Sequence, residues 1–467
     1  MNRYRIAFLI VALAVVGCQP TSDLPNVILI VTDDQGWVDL GSYGSDVLST
    51  PHLDTLAANG LRFTDFYTAA ASCSPSRAAF LTGMYPQRVG IPGVLMPQSR
   101  RGLHPSERTL AEMLKELGYA TAIFGKWHLG HDSLHLPLQH GFDEYFGIPY
   151  SNDMTPDAIK NPNPPARQHP PVPLVEGFNT IELEPDQSQL TRRYTERATA
   201  FIDANQDTPF LLYVPHTFPH VPLFVSDAFD GQSGAGLYAD VIMEIDWSVG
   251  QIMEALKRHD LIENTLVIFS SDNGPWLIKG DHSGHTGPLR EGKGTTFEGG
   301  HRVPLLMSWP GVITPGVTDA MASAIDVMPT IAAFTGAPPG PFPFDGQSLV
   351  SVIHAGTSPH EALFFYQGNQ LHAVRSGRWK LHAPHHYRSI HGATLSTPTF
   401  QGAYRQDSIG LSLFDLQSDI GETTNLADSH PDVVDRLLGY MNAMQEDLGD
   451  RLTDTAGSGR RPSLVLE

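Results

Sequence analysis

The feature that most constrains the fold is a set of short apolar runs that stop abruptly at ionisable or amide residues. Residues 26–32 (NVILIVT) are rich in β-branched side chains and do not alternate with polar ones, as expected of a strand buried on both faces, and they stop at Asp33-Asp34. Residues 119–124 run into Gly125-Lys126-Trp127-His128, and 209–214 run into His216 and His220. Residues 261–269 pass through Ser270-Ser271 into Asp272-Asn273. A helical pattern at 109–117 places Leu110, Met113, Leu114 and Leu117 on one face, with Thr109 and Glu112 as a capping box and Gly118 as the stop. Strands alternating with helices predict an α/β fold with a large, mostly parallel sheet. Functional groups in such sheets gather beyond the carboxyl ends of the strands, so four separate runs deliver polar residues to one edge.

The chain is long enough for one large domain or two unequal ones, with 467 residues, 41% of them hydrophobic and 17% charged. That composition excludes a disordered or coiled-coil protein. A net charge of −20 excludes a nucleic-acid partner, because phosphate attraction requires the opposite sign. Residues 151–184 are rich in proline and polar side chains and read as a long surface excursion. The break at 336–346 (GAPPGPFPFDG) reads as a domain boundary, followed by strand-like stretches at 362–366, 371–374 and 411–415 and an amphipathic helix at 433–448. The resulting division is a catalytic domain over 26–340, a smaller C-terminal α+β domain with an antiparallel sheet over 341–454, and a loose tail over 455–467.

The N-terminus reads as a targeting segment. Arg3 and Arg5 precede an apolar run at 6–16, and Val15-Val16-Gly17-Cys18 resembles a bacterial lipobox. That resemblance implies a signal peptide over 1–17, lipidation of Cys18, a tether over 18–25, and an envelope location, in the periplasm or at the outer membrane, with the lipid as the only membrane contact. Cys73, the second of only two cysteines, is then an unpaired thiol in an oxidising compartment and calls for a separate explanation.

Asp33, Asp34, Asp272 and Asn273 offer hard oxygen donors with high negative charge, which suit Ca²⁺, or less well Mg²⁺, and suit zinc poorly. Cys73 lies in Cys73-Ser74-Pro75-Ser76-Arg77, with Leu81-Thr82-Gly83 beyond it. Two cysteines, 37 prolines and 30 basic residues in 467 produce the C-x-P-x-R core by chance only about 0.01 times. Here the sequence resembles the type I sulfatases, in particular the arylsulfatase A and N-acetylgalactosamine-6-sulfatase group. Asp33-Asp34-Gln35-Gly36, Gly125-Lys126-Trp127-His128-Leu129-Gly130, Asp272-Asn273-Gly274 and the lysine loop 292–300 (GKGTTFEGG) match that family's elements. Residues 142–147, Tyr150-Ser151 and 413–416 with Gly421-Glu422 and Asn425-Leu426 extend the likeness over most of the chain.

The resemblance implies an alkaline-phosphatase-like fold and hydrolysis of sulfate monoesters of carbohydrates or aryl alcohols. It implies that a maturation enzyme oxidises Cys73 to Cα-formylglycine, whose hydrated form attacks sulfur. One Ca²⁺ is expected on Asp33, Asp34, Asp272, Asn273 and residue 73. Lys126, Lys293 and Ser151 are expected to hold sulfate, Arg77 to orient residue 73, His220 to protonate the leaving oxygen and His128 to take a proton back. His220 is preferred to His216 because Pro222 follows it by two residues, as in the family. Specificity is expected from 90–102, 151–176, 276–286 and the second domain, with Asp281, His282 and His285 as candidate sugar contacts. His382, in a lysine-x-histidine element, is expected to touch the leaving group, while the other histidines of 382–391 show no regular ligand spacing. The alternatives are an arylsulfatase of broad specificity, a phosphonate or phosphate ester hydrolase of the same superfamily, and a silent glycan-binding lipoprotein.

Overall fold

The computed structural model describes residues 24–156, 169–397 and 402–466. The lipobox, Cys18 and part of the 151–184 excursion lie outside the described residues. Among the described residues, no helix is long and apolar enough to cross a membrane.

A ten-stranded sheet forms the spine. Asn26–Thr32 lies at its centre, parallel to Thr265–Ser271 on one side and Phe210–Pro215 on the other; Ala120–Phe124 and Glu144–Gly147 extend the parallel part. Leu305–Ser308 and Leu61–Phe63 add antiparallel pairings at one end, and Pro173–Glu176 with Asn179–Leu183 at the other. The unalternating central strand meets its expectation in detail. Val27, Leu29 and Val31 pack into one core and Ile28 and Ile30 into the other, all fully buried. Each such side chain contributes about 1.5–3 kcal/mol by leaving water, so a register slip at this strand is strongly opposed. Helices Leu190–Ala204 and Leu237–Arg258 cover one face, and Cys73–Thr82, Leu110–Lys115 and Val327–Thr335 the other. The Thr109–Glu112 capping box is present in both directions.

The C-terminal domain is a four-stranded antiparallel sheet, ordered Leu363–Gln367, Gln370–Ser376, Trp379–His382, Ser412–Asp415, backed by the helix Pro431–Leu448. Its core runs into the larger domain: Val374, Leu381, Leu437 and Met441 share a cluster with Ala79 on the Cys73–Thr82 helix. A buried ionic web seals the seam. Lys380 Nζ lies 2.8 Å from Glu298 and 3.0 Å from Glu422, and the backbone N–H of Glu298 donates to Glu422 at 2.7 Å.

Two expectations need correction. The 151–184 excursion is partly regular, because Pro173–Glu176 and Asn179–Leu183 continue the main sheet. The 455–467 tail is not loose. Leu464 and Val465 pair with Gly102 and Arg101, and Arg461 forms a two-pronged ion pair with Glu107 at 2.6 and 2.7 Å. Two paired residues leave no periodicity to read, and the partner strand lies far away in sequence.

Several histidines are buried neutral. His140 stacks beside Trp127, and neither of its ring nitrogens has a partner; burial pushes its pKa down to about 4. A depressed histidine pKa contributes stability above the unfolded value of 6.5, and this is lost as pH falls through 6.5 toward 4. His140→Phe removes that loss. Its unfolding free energy relative to wild type is expected to improve by about 2–3 kcal/mol between about pH 7.5 and 4.5, measured by urea denaturation.

Candidate active site

The expected residues converge at the carboxyl ends of the central strands. Asp33 and Asp34 follow Asn26–Thr32, Asp272 and Asn273 follow Thr265–Ser271, and Lys126 and His128 follow Ala120–Phe124. Tight backbone turns make this possible. Gly125 has φ 144°, and a Cβ there would lie 2.0 Å from the Pro215 carbonyl oxygen; at Gly274 it would lie 1.9 Å from that of Gly299. Asp34 and His128 adopt left-handed backbone at φ 65° and 61°, strain that concentrates at functional positions.

Cys73 begins the helix Cys73–Thr82, with Ser72 at its N-cap, so residue 73 sits where the helix dipole favours negative charge. Its Sγ lies 3.5 Å from Asp33 Oδ1 and 3.4 Å from Lys293 Nζ. One helical turn on, the fully buried Arg77 donates from Nε to Asp272 at 3.0 Å, from Nη2 to Asp33 at 2.9 Å and from Nη1 to the Lys126 carbonyl at 2.8 Å. Lys126 Nζ reaches Asp33 at 2.5 Å and Ser151 Oγ at 3.0 Å. Lys293 Nζ reaches Asp34 at 2.5 Å, and its loop is tied down by Gly294 N–H donating to the Ala71 carbonyl at 2.8 Å.

The two histidines have defined tautomers. His128 Nε2 lies 3.0 Å from the Leu95 carbonyl, which only accepts, so Nε2 carries the hydrogen and the unpartnered Nδ1 holds a lone pair. His220 Nδ1 donates to the Val221 carbonyl at 2.6 Å, leaving Nε2 3.7 Å from Asp34 Oδ2. Burial first, then Lys126 for His128 and Lys293 for His220, hold both rings neutral. His216 is fully buried, with both ring nitrogens unpartnered, and lies outside this cluster.

The carboxylates are strongly differentiated. Burial works to raise Asp33, but Lys126, His220, Arg77 and Lys293 together hold it well below the usual range. Burial pushes Asp34 up to about 7, with Asp33 and Asp272 adding to the rise against Lys293. Burial, reinforced by Asp33, also raises the Cys73 thiol despite both lysines, so an unmodified thiol is a poor nucleophile here.

The donor set fits a hard cation. Oxygens of Asp33 and Asp34, Cys73 Sγ and a His220 nitrogen all lie within 4.8 Å of one another. Asp34 Oδ2 and Asn273 Oδ1 are buried with no hydrogen-bond partner, and Asn273 Nδ2 donates to Asp34 Oδ1 at 2.7 Å. Unpartnered buried oxygens on an acidic cluster are what Ca²⁺ coordination uses.

His382 must be corrected. It is fully buried, with Nε2 2.9 Å from Glu422 Oε1 and its ring stacked on Phe297 at 4.8 Å. With Nε2 engaged by Glu422 and the ring packed on Phe297, it belongs to the seam between the domains rather than to the sulfate-binding cluster. His372 and His385 stack at 3.8 Å in the same seam. His285, largely exposed, meets Asp39 at 3.2 Å.

Four residues near the site escaped the sequence reading. Trp276 lies 5.7 Å from the His220 ring and 5.0 Å from Lys293 Nζ, and Lys279 Nζ lies 4.3 Å from the same indole. Asp153 Oδ1 is buried without a partner. Arg388, on the C-terminal domain, donates to the Lys293 carbonyl at 2.7 Å. Trp276 and Lys279 fall in the segment 276–286 expected to set specificity, and Asp153 follows Ser151 by two residues; nothing in the sequence marks Arg388. A cavity of about 730 Å³ lined by the 90–101 loop adjoins the site through Leu95, whose carbonyl holds His128.

Comparison with known proteins agrees with this geometry. Residues 25–337 match the sulfatase family model, and 358–464 match the C-terminal region of aryl-sulfatase. Arylsulfatase A of Bos taurus is 43% identical over 441 residues, covering 90% of this chain and 87% of its own. N-acetylgalactosamine-6-sulfatase of Canis lupus familiaris is 40% identical, covering 80% and 74%. The crystal structure of Ps i-CgsB in complex with k-i-k-neocarrahexaose superposes with a TM-score of 0.76 at 29% identity, covering 90% of this chain and 92% of that one. The alkaline-phosphatase-like architecture expected from the motifs is the one observed, and the chain belongs to the sulfatase family, enzymes that hydrolyse sulfate esters.

Proposed function

We propose that this sulfatase removes sulfate from carbohydrates at chain ends, with galactose or N-acetylgalactosamine sulfates as the first candidates. The observation that carries the reading is the convergence of Lys126, Lys293, Arg77 and a helix N-terminus on residue 73 beside three buried carboxylates. Such a site neutralises a sulfate ester while excluding water. The relatives named N-acetylgalactosamine-6-sulfatase and the neighbour solved with an oligosaccharide support a carbohydrate substrate.

We further propose that a maturation enzyme converts Cys73 to formylglycine and that Asp33, Asp34, Asp272 and Asn273, with residue 73, hold one Ca²⁺. When bound, the ion would supply Lewis-acid charge, and the hydrated aldehyde would supply a hydroxyl nucleophile at position 73. The chain's own groups do the rest. Lys126, Lys293 and Ser151 bind sulfate oxygens, and Arg77 fixes the helix turn that presents residue 73. His220 Nε2, bare in the neutral ring and facing Asp34 Oδ2, gains affinity for a proton when the negative charge of sulfate binds, and the imidazolium so formed protonates the leaving oxygen. His128 Nδ1, with its lone pair unpartnered, takes a proton from position 73.

The lipobox supports a bacterial envelope lipoprotein anchored through Cys18. Cys18→Ala is expected to move the protein from the membrane to the soluble fraction on cell fractionation; retention in the membrane would refute the anchor.

The decisive experiment is sulfate release from defined sulfated mono- and disaccharides and 4-nitrophenyl sulfate, using protein co-expressed with a maturation enzyme. One sugar position is expected to be desulfated, with no release by Cys73→Ala. No release despite conversion of residue 73, verified by mass spectrometry, would overturn the reading and direct the search to phosphonate esters. Dialysis against EGTA is expected to abolish turnover and added Ca²⁺ to restore it. His220→Ala should lower kcat by about 10²–10⁴-fold. His216→Ala should cost less than about tenfold, since its ring hydrogen-bonds to no site group. Equal losses in the two variants would reverse their assignment.

A further inference from the structure

Lys279 is 7% exposed, and among the described residues its ammonium makes no hydrogen bond or ion pair; its Nζ rests 4.3 Å from the Trp276 ring. Most of the side chain is enclosed, yet no carboxylate of the described residues pairs with the ammonium, which keeps only a small contact with solvent; so enclosed a charge is ordinarily paired. Burial holds its pKa down, and Asp153 and Asp34 act on it only from a distance. The placement has a local cause. Lys279 N–H donates to the Trp276 carbonyl at 2.9 Å, and this turn folds the lysine back over the indole. The same indole lies 5.0 Å from Lys293 Nζ and 5.7 Å from the His220 ring. Lys279 therefore stands one aromatic ring away from a sulfate-holding ammonium and from the histidine that serves the leaving oxygen. Trp276 Nε1 and Asp153 Oδ1 are also buried without partners. The indole thus carries an unpartnered N–H beside an ammonium with no counter-ion among the described residues, and Asp153 feels the charges of Lys126, Lys293 and that same Lys279.

We propose that Lys279 is a specificity-determining residue that receives a second anionic group, a carboxylate or a further sulfate, carried by the sugar that leaves. Trp276 offers the sugar an aromatic face and an N–H, and Asp153 Oδ1 accepts from a sugar hydroxyl. The subsite rests on the sulfatase reading above and extends it from one sulfate to a doubly charged glycan end.

The test is calorimetric binding to full-length Cys73→Ala protein, which cannot turn over. The probes are N-acetylgalactosamine 6-sulfate, its 4,6-disulfate, and a uronate-linked N-acetylgalactosamine 6-sulfate disaccharide. At least one doubly charged probe is expected to bind about tenfold or more tighter than the monosulfate, and which one does so separates sulfate from carboxylate as the second anion. Adding Lys279→Gln should bring that ratio below about two, and Lys279→Arg should retain it. Equal affinities in the background protein would overturn the proposal. So would an undiminished ratio in Lys279→Gln, or an equal weakening of all three probes, which would make the lysine a brace for Trp276. Turnover of 4-nitrophenyl sulfate by matured wild-type protein reports separately on the sulfatase reading, so a failed ratio with intact turnover removes the subsite alone.

Discussion

The site depends on one buried guanidinium. Arg77, with no solvent exposure, joins Asp33 at the end of one strand to Asp272 at the end of its neighbour and to the backbone of Lys126 beyond a third. Its planar fork matches those three acceptors, and a lysine would satisfy fewer of them. Removing one partner of such a buried pair typically costs about 3–5 kcal/mol, because the remaining carboxylates are stranded without water. The arginine also fixes the rotation of its helix, and hence the position of Cys73 one turn earlier. Structure and chemistry meet in that side chain.

Charge balance explains why an acidic protein can handle an anion. The chain carries −20 overall, yet Asp33, Asp34 and Asp272 are countered within the site by Arg77, Lys126 and Lys293. Three against three leaves the cluster near neutral, and a divalent cation on its unpartnered oxygens turns the balance positive. Repulsion from the outer surface is screened within about 8 Å at physiological ionic strength. The local field therefore decides what enters.

Much of this was legible in the sequence because buried parallel strands write their ends plainly. The run 26–32 admits no solvent face, so the two aspartates that follow it must mark an edge, and the same holds for 265–271 before Asp272. His220 stands apart from His216 in the sequence only through the resemblance, in which proline follows the histidine by two residues, as Pro222 does here. Contacts made across large sequence distances were not legible. His382 reads like a pocket residue, but its lysine and histidine bond to Glu298 and Glu422, and neither carboxylate is marked as their partner in the sequence. The tail's hold on 101–102 and Arg388's reach to the lysine loop are hidden for the same reason. Lys279 was missed because a lysine in a loop reads as solvated.

The core shared by the two domains has a kinetic side. The face of the Cys73–Thr82 helix that carries Ala79 is covered by side chains from Leu371 to Leu448, made some three hundred residues later. At synthesis rates of about 5–20 residues per second, the last of that cover is made roughly 20–75 s after residue 73. Only when the last sheet and helix dock is that face of the helix fully covered. The distance in sequence between a helix and its cover thus sets a clock, the time for which an apolar helix face must wait for its partner during synthesis.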